Sequence, residues 1–136
     1  RPCRHCYAVM TVLMCMALNI YFEARNQDWD GQLAVAHVVQ NRVLDSRFPN
    51  THCSVIKDGG ERRHQCQFSW YCDGKSDDPR DVRAWRNAMQ VARSFWKYED
   101  PTNGALFYHA DYVQPRWAGT NYNVIGAHKF YHELYD

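Results

Sequence analysis

The sequence predicts a mainly helical α+β fold with one small β element late in the chain, built as a single domain over residues 1–136. Three observations point there. The run Tyr7 to Phe22 is apolar on almost every side, the pattern of a helix buried all round. Further on, Trp85, Ala88, Met89, Ala92, Phe95 and Trp96 recur at helical spacing. After Asn103 the pattern changes to short aromatic and β-branched stretches broken by Pro115 and Gly119.

The first helix runs straight into Glu23. Cys15, Asn19 and Glu23 interrupt its apolar surface, and a spacing of four puts them on one face. Asn26 is expected to end this helix in the left-handed conformation. Asp28 or Asp30 then caps a second helix through residues 32–44, with Val35, Val38, Val39 and Val43 as its core stripe and Pro49 as its limit. Residues 50–79, rich in Gly, Asp, Ser and Cys, read as a long structured loop, a feature that is usually functional in a compact domain. Asp78 and Pro79 fill the cap and first position of a third helix. Residues 105–113 and 124–132 read as two short strands.

Composition excludes several classes. A net charge of +1 supplies no basic field, which argues against a nucleic-acid binder. The apolar run of 16 residues is shorter than the roughly 20 that a spanning helix needs, so no integral membrane span is expected. Arg1 and Arg4 ahead of it resemble a signal-peptide start, but no small-residue cleavage pattern follows. Six cysteines suit an oxidising compartment. Cys15, inside the apolar helix, reads as a free core thiol, whereas Cys53, Cys66 and Cys72 flank the loop and read as disulfide partners.

Glu23 is the residue most suited to chemistry. It lies near a helix C-terminus, where the macrodipole disfavours negative charge, and burial disfavours the ion as well. Both raise the pKa, and a carboxyl that keeps its proton near neutral pH can act as a general acid. A structural ion pair, with Arg25 for example, is the competing reading.

Other chemistries find less support. Cys3-x2-Cys6 has zinc-knuckle spacing, and His52-Cys53 and His64-x-Cys66 carry further ligand types, but no second Cys-x2-Cys pair or His-Glu-x-x-His helix completes a site. No Gly-x-Ser-x-Gly nucleophile segment or phosphate loop is present. Neither a metal nor another cofactor is expected. The loop at 66–74 interleaves Gln67 and Ser69 with Trp70 and Tyr71, the mixture that binds sugar through ring faces and hydroxyl partners. Tyr108, His109, Tyr112 and Trp117 extend it. A plain aromatic core competes for Trp70 and Tyr112, and their placement in loops favours binding.

Five segments taken in order resemble the SleB/CwlJ-type cell-wall hydrolases: residues 20–27 (IYFEARNQ), 31–56, 66–74 (CQFSWYCDG), 107–118 (FYHADYVQPRWA) and 125–132 (IGAHKFYH). The resemblance implies a lysozyme-like fold related to the lytic transglycosylases. It also implies cleavage of peptidoglycan between N-acetylmuramic acid and N-acetylglucosamine. By motif position Glu23 would be the catalytic acid and base, with Gln67, Ser69, Tyr108 and His109 lining the cleft. The chain departs from the family pattern at Asn26, where Gly is common, and at Gly126-Ala127-His128, where Gly-Asn-His is usual. The extra cysteines are similar to those of the family's non-sporulating branch.

One carboxylate suffices for such cleavage. Glu23 would protonate the glycosidic oxygen, then accept the proton of the muramyl C6 hydroxyl as a 1,6-anhydro ring closes. Hydrolysis would instead need a second acid, for which Asp28, Asp30, Asp73 and Asp111 are the candidates, each also explained as a cap, turn or solvated charge. A module that grips glycan without cutting it is the competing class. The expected partner is the glycan strand, engaged by a monomer. The expected location is the envelope or beyond it, in a bacterium or in a phage lysis protein acting on a host wall.

Overall fold

The computed structural model describes residues 11–60 and 63–136. Cys3, Cys6 and the expected helix start at Tyr7 lie outside the described residues. Thr11 opens the first helix, α1 (Val12–Ala24): its hydroxyl accepts the Met14 N–H at 3.1 Å. Met16, Ala17 and Ile20 are at most 1% exposed, so the helix is the spine of the core. It packs against all three other helices. Among the described residues no helix is long and apolar enough to cross a membrane.

α1 ends without the left-handed residue expected at Asn26, since its cap, Arg25, is right-handed and Asn26 has no positive φ. A side chain does the work instead. Gln32 Nε2 donates to the Ala24 carbonyl at 3.2 Å and the Gln27 carbonyl at 3.3 Å, satisfying backbone left open at the helix end. Gln32 belongs to α2 (Trp29–Leu44), which has Asp28 at its cap position and buries Val35, Val38 and Val39 completely.

The long loop contains α3 (His52–Ile56), capped by Thr51, and a 3₁₀ turn over Ser69–Cys72. The expectation of a free Cys15 is corrected here. α3 lies beside α1 and Cys15 is bonded to Cys53, 38 residues away, with Cα atoms 5.4 Å apart. Cys66 and Cys72 form a second disulfide, and no described cysteine is free.

α4 (Val82–Ser94) begins three residues later than Asp78 and Pro79 suggest. Asp81 caps it, accepting the Ala84 N–H at 3.1 Å, and its own N–H donates to the Tyr21 hydroxyl at 3.1 Å. Tertiary contact with α1 therefore sets the start. Ala84, Ala88, Val91, Ala92 and Phe95 are buried, but Trp96 is 68% exposed. The helix tightens to a 3₁₀ turn at Phe95–Lys97, and this swings the indole off the core stripe.

Three strands, rather than two, form the β element: β1 (Phe107–Ala110), β2 (Asn123–Ile125) and β3 (His128–Tyr131), antiparallel in the order β1-β3-β2. The second expected strand folds back on itself at Gly126, which sits at φ +58°. Alternation then gives the sheet two faces. Tyr108 and Phe130 face α2 with Ala34 and Val38, while Phe107, His109 and Tyr131 face the other way with Trp117.

Candidate active site

Glu23 is the penultimate residue of α1 and is half-buried. Burial holds its carboxyl proton more tightly than in water. Two groups pull the other way: the Tyr108 hydroxyl, which donates to Glu23 Oε1, and the Arg42 guanidinium. Burial is the larger effect, so the pKa lies above its ordinary value of 4.5. No described Asp or Glu is among the groups that shift it.

Tyr108 reaches this carboxylate because β1 packs on the α1–α2 corner. Its ring stacks on Phe130 at 5.4 Å and meets His128 edge-on at 5.3 Å. Burial and the neighbouring Glu23 carboxylate hold the phenol proton in place well beyond the ordinary range, so Tyr108 is a fixed donor. The corner is locked by Gln27, whose Oε1 accepts the Ala127 N–H of the β2–β3 hairpin at 3.0 Å.

The remaining residues singled out from sequence separate into two groups. Gln67 and Ser69 are exposed on either side of buried Phe68, along a segment held beside the Glu23 end of α1. Trp70 anchors that segment: its indole stacks on Phe22 at 4.9 Å and donates to Asn19 Oδ1 at 2.8 Å. At 7% exposure it faces the core, so its placement as a sugar-facing ring gives way to that of a floor beneath the site. His109 lies on the sheet face opposite Tyr108, with its ring nitrogens 2.8 Å from the Tyr131 hydroxyl and 2.7 Å from the Ala110 carbonyl. It is 9% exposed and braces the sheet. Tyr112 stands 87% exposed in the turn after β1.

The four aspartates weighed as a second acid are accounted for separately. Asp28 is at the α2 cap position, Asp30 is in its first turn, Asp73 closes a turn onto the Lys75 N–H at 2.9 Å, and Asp111 is exposed beyond β1. None is hydrogen-bonded to Glu23. Among the described residues no group of three or more His, Cys, Asp or Glu is arranged to hold a metal ion.

Arg42 and His128 escaped the sequence reading. Both are buried; His128 packs against the Tyr108 ring, and the Arg42 charge lowers the Glu23 pKa. Arg42 had a legible signal, for it falls three residues after Val39 and seven after Val35, squarely on the α2 core stripe. Asn19 Nδ2, Arg42 Nη1 and His128 Nδ1 are buried without a hydrogen-bond partner. Such orphans are few in a folded protein.

Comparison with known proteins adds to this geometry. A model of the Cell Wall Hydrolase family matches residues 26–131. The spore cortex-lytic enzyme of Bacillus cereus is 33% identical over 121 residues, covering 87% of this chain and 43% of that protein. The enzyme of the same name from Bacillus subtilis is 30% identical over 118 residues, covering 85% and 35%. The chain thus spans less than half the length of these curated relatives. Among solved structures, the catalytic domain of the germination-specific lytic transglycosylase SleB from Bacillus anthracis superposes with a TM-score of 0.67 at 28% identity, covering 90% of this chain and 95% of that one. The Bacillus cereus SleB catalytic domain gives 0.65 at 29%, covering 88% of each.

Proposed function

The chain belongs to the Cell Wall Hydrolase family, and from that premise we propose that it cleaves peptidoglycan between N-acetylmuramic acid and N-acetylglucosamine as a lytic transglycosylase. The observation that carries this reading is the Glu23 carboxyl, its pKa raised by burial, bonded by the Tyr108 hydroxyl and, among the described residues, with no Asp or Glu acting on it. The similar SleB catalytic domain from Bacillus anthracis, a lytic transglycosylase, supports the same reaction class.

The step balances on one carboxyl. The Glu23 proton passes to the glycosidic oxygen as the bond from that oxygen to the muramyl anomeric carbon breaks. The muramyl C6 oxygen bonds to the anomeric carbon, and its proton returns to Glu23. Tyr108 steadies the carboxylate between the two transfers and keeps it aimed. Gln67 and Ser69 are the polar groups that meet the sugar along the exposed edge of their segment, and Tyr112 is a freely accessible ring at the far side. His109 serves the cleft from behind, by setting the sheet that carries Tyr108.

A location in the cell envelope or outside it is supported by the proposed substrate and by the disulfides Cys15–Cys53 and Cys66–Cys72. Mass spectrometry of soluble fragments from purified peptidoglycan tests the reaction. The expected products are muropeptides one water lighter than hydrolysis gives, with no reducing end. Reducing muramic acid ends would replace transglycosylation with hydrolysis and call for one of the four aspartates. Saturable binding without soluble product would leave a glycan-gripping module.

A further inference from the structure

We propose that Arg42 is a positioning residue for the acid–base step: a fixed, buried counter-charge that steadies Glu23 whenever it has given up its proton. The proposal rests on the reading of Glu23 as the proton donor.

Arg42 sits in the last turn of α2 and is 5% exposed. Its guanidinium lies over Phe48 at 4.9 Å, Phe68 at 5.2 Å and Phe107 at 5.6 Å from the ring centres. Nε donates to the Leu106 carbonyl at 2.7 Å, tying the group to the residue before β1. Nη1 is buried with no partner. A site walled by three phenyl rings would be filled at lower cost by Leu or Met, because an ion there loses its water. Arginine in this position asks for an electrostatic reason.

The surrounding charges supply one. Burial disfavours the guanidinium's charge, and the carboxylates of Glu23 on α1 and Asp58 in the turn after α3 oppose it by favouring the charged form. On β3, His128 abuts Tyr108, but burial disfavours its cationic form. Arg42 is therefore the one cation among the described residues that acts on Glu23. Its attraction is absent while Glu23 holds the proton and grows as the proton leaves. An interaction that strengthens along the reaction lowers the barrier without tightening ground-state binding. Burial raises the Glu23 pKa, and Arg42 opposes that rise.

The test compares wild type, Arg42→Met and Arg42→Lys by pH profile on peptidoglycan and by ¹³C titration of the Glu23 carboxyl. In Arg42→Met, kcat is expected to fall roughly tenfold or more with KM little changed. Both the alkaline limb and the Glu23 midpoint should move up by about one pH unit, because an opposite charge has been removed. Arg42→Lys should restore most of both. A folded Arg42→Met with an unmoved Glu23 midpoint overturns the proposal, as does a Lys variant indistinguishable from Met. Should Arg42→Met fail to fold, ¹⁵N titration of the wild-type Arg42 guanidinium decides. Its resonances should shift at the Glu23 midpoint and lose that transition in Glu23→Gln, whereas a flat titration in wild type overturns the proposal. Near wild-type turnover by Glu23→Gln would instead remove the acid assignment beneath it.

Discussion

Glu23 and Asp45 are both carboxylates at the C-terminal ends of consecutive helices, yet they hold their protons in opposite ways. Glu23 is next to last in α1, and its pKa is raised chiefly by burial. Asp45 is the cap of α2, and its pKa is lowered to about 2. Arg47 makes the difference: its backbone N–H and Nε each reach Asp45 Oδ1 at 2.9 Å, while Nη2 reaches Oδ2 at 2.9 Å. The adverse helix dipole acts on both residues, so it does not decide. Desolvation and direct hydrogen bonds do. The carboxyl proposed as the acid is the one that is largely desolvated and, among the described residues, accepts a single side-chain hydrogen bond.

The largest expected effect breaks the contrast at Glu23 itself. Glu23→Gln should lower turnover by roughly 1,000-fold or more, because an amide has no proton to give. The same change should leave the fold more stable at pH 8. Glu23 has a folded pKa above its ordinary 4.5, so ionisation destabilises the fold once pH exceeds 4.5, and a neutral amide escapes that cost. Thermal unfolding should show the gain at pH 8 and none below pH 4. A variant as active as wild type ends the argument.

Tyr108→Phe sharpens the contrast by removing the one side-chain donor to Glu23 among the described residues. Turnover should fall roughly tenfold, about what one hydrogen bond to a charged group contributes. The Tyr108 bond lowers the Glu23 pKa, so its loss should carry the alkaline limb of the pH profile upward. A limb that stays in place would mean the bond aligns the carboxyl without tuning it.

The smallest effect belongs to Asp45→Asn, which should leave turnover unchanged. The Asp45 contribution to stability is present above its ordinary 3.8 and fades as pH falls towards about 2. Denaturant midpoints of wild type and variant should differ slightly at pH 6 and converge on acidification. Convergence on raising the pH instead would contradict this reading of the ion pair.

How far the sequence alone reaches can be judged from particular residues. The three long helices, the late β element and the prominence of Glu23 follow from periodicity and position, which are local properties. What was missed depends on partners far along the chain. Cys15 could not be paired from its apolar surroundings, because Cys53 arrives through α3. Trp70 has the same neighbours in sequence whether it faces sugar or core, and Asn19, 51 residues away, decides. The Asp81 cap is chosen over Asp78 by the Tyr21 hydroxyl. The second predicted strand hid a hairpin because Gly126 and Ala127 carry no strong turn signal between the β-formers Val124, Ile125, Phe130 and Tyr131.

The Gln27 clasp on the hairpin has a consequence for anyone who diversifies this enzyme. At φ +58°, position 126 already disfavours a side chain, and a Cβ there would lie 2.4 Å from Gln27 Oε1. Displacing that carboxamide would release Ala127 and, with it, the alignment of the sheet on the corner that carries Glu23. A randomised library should therefore return glycine at 126 and glutamine at 27 together, as a linked pair, while neighbouring Asn26 drifts. The cleft can be resculpted around its rim, but the hinge pin beside it is inherited intact.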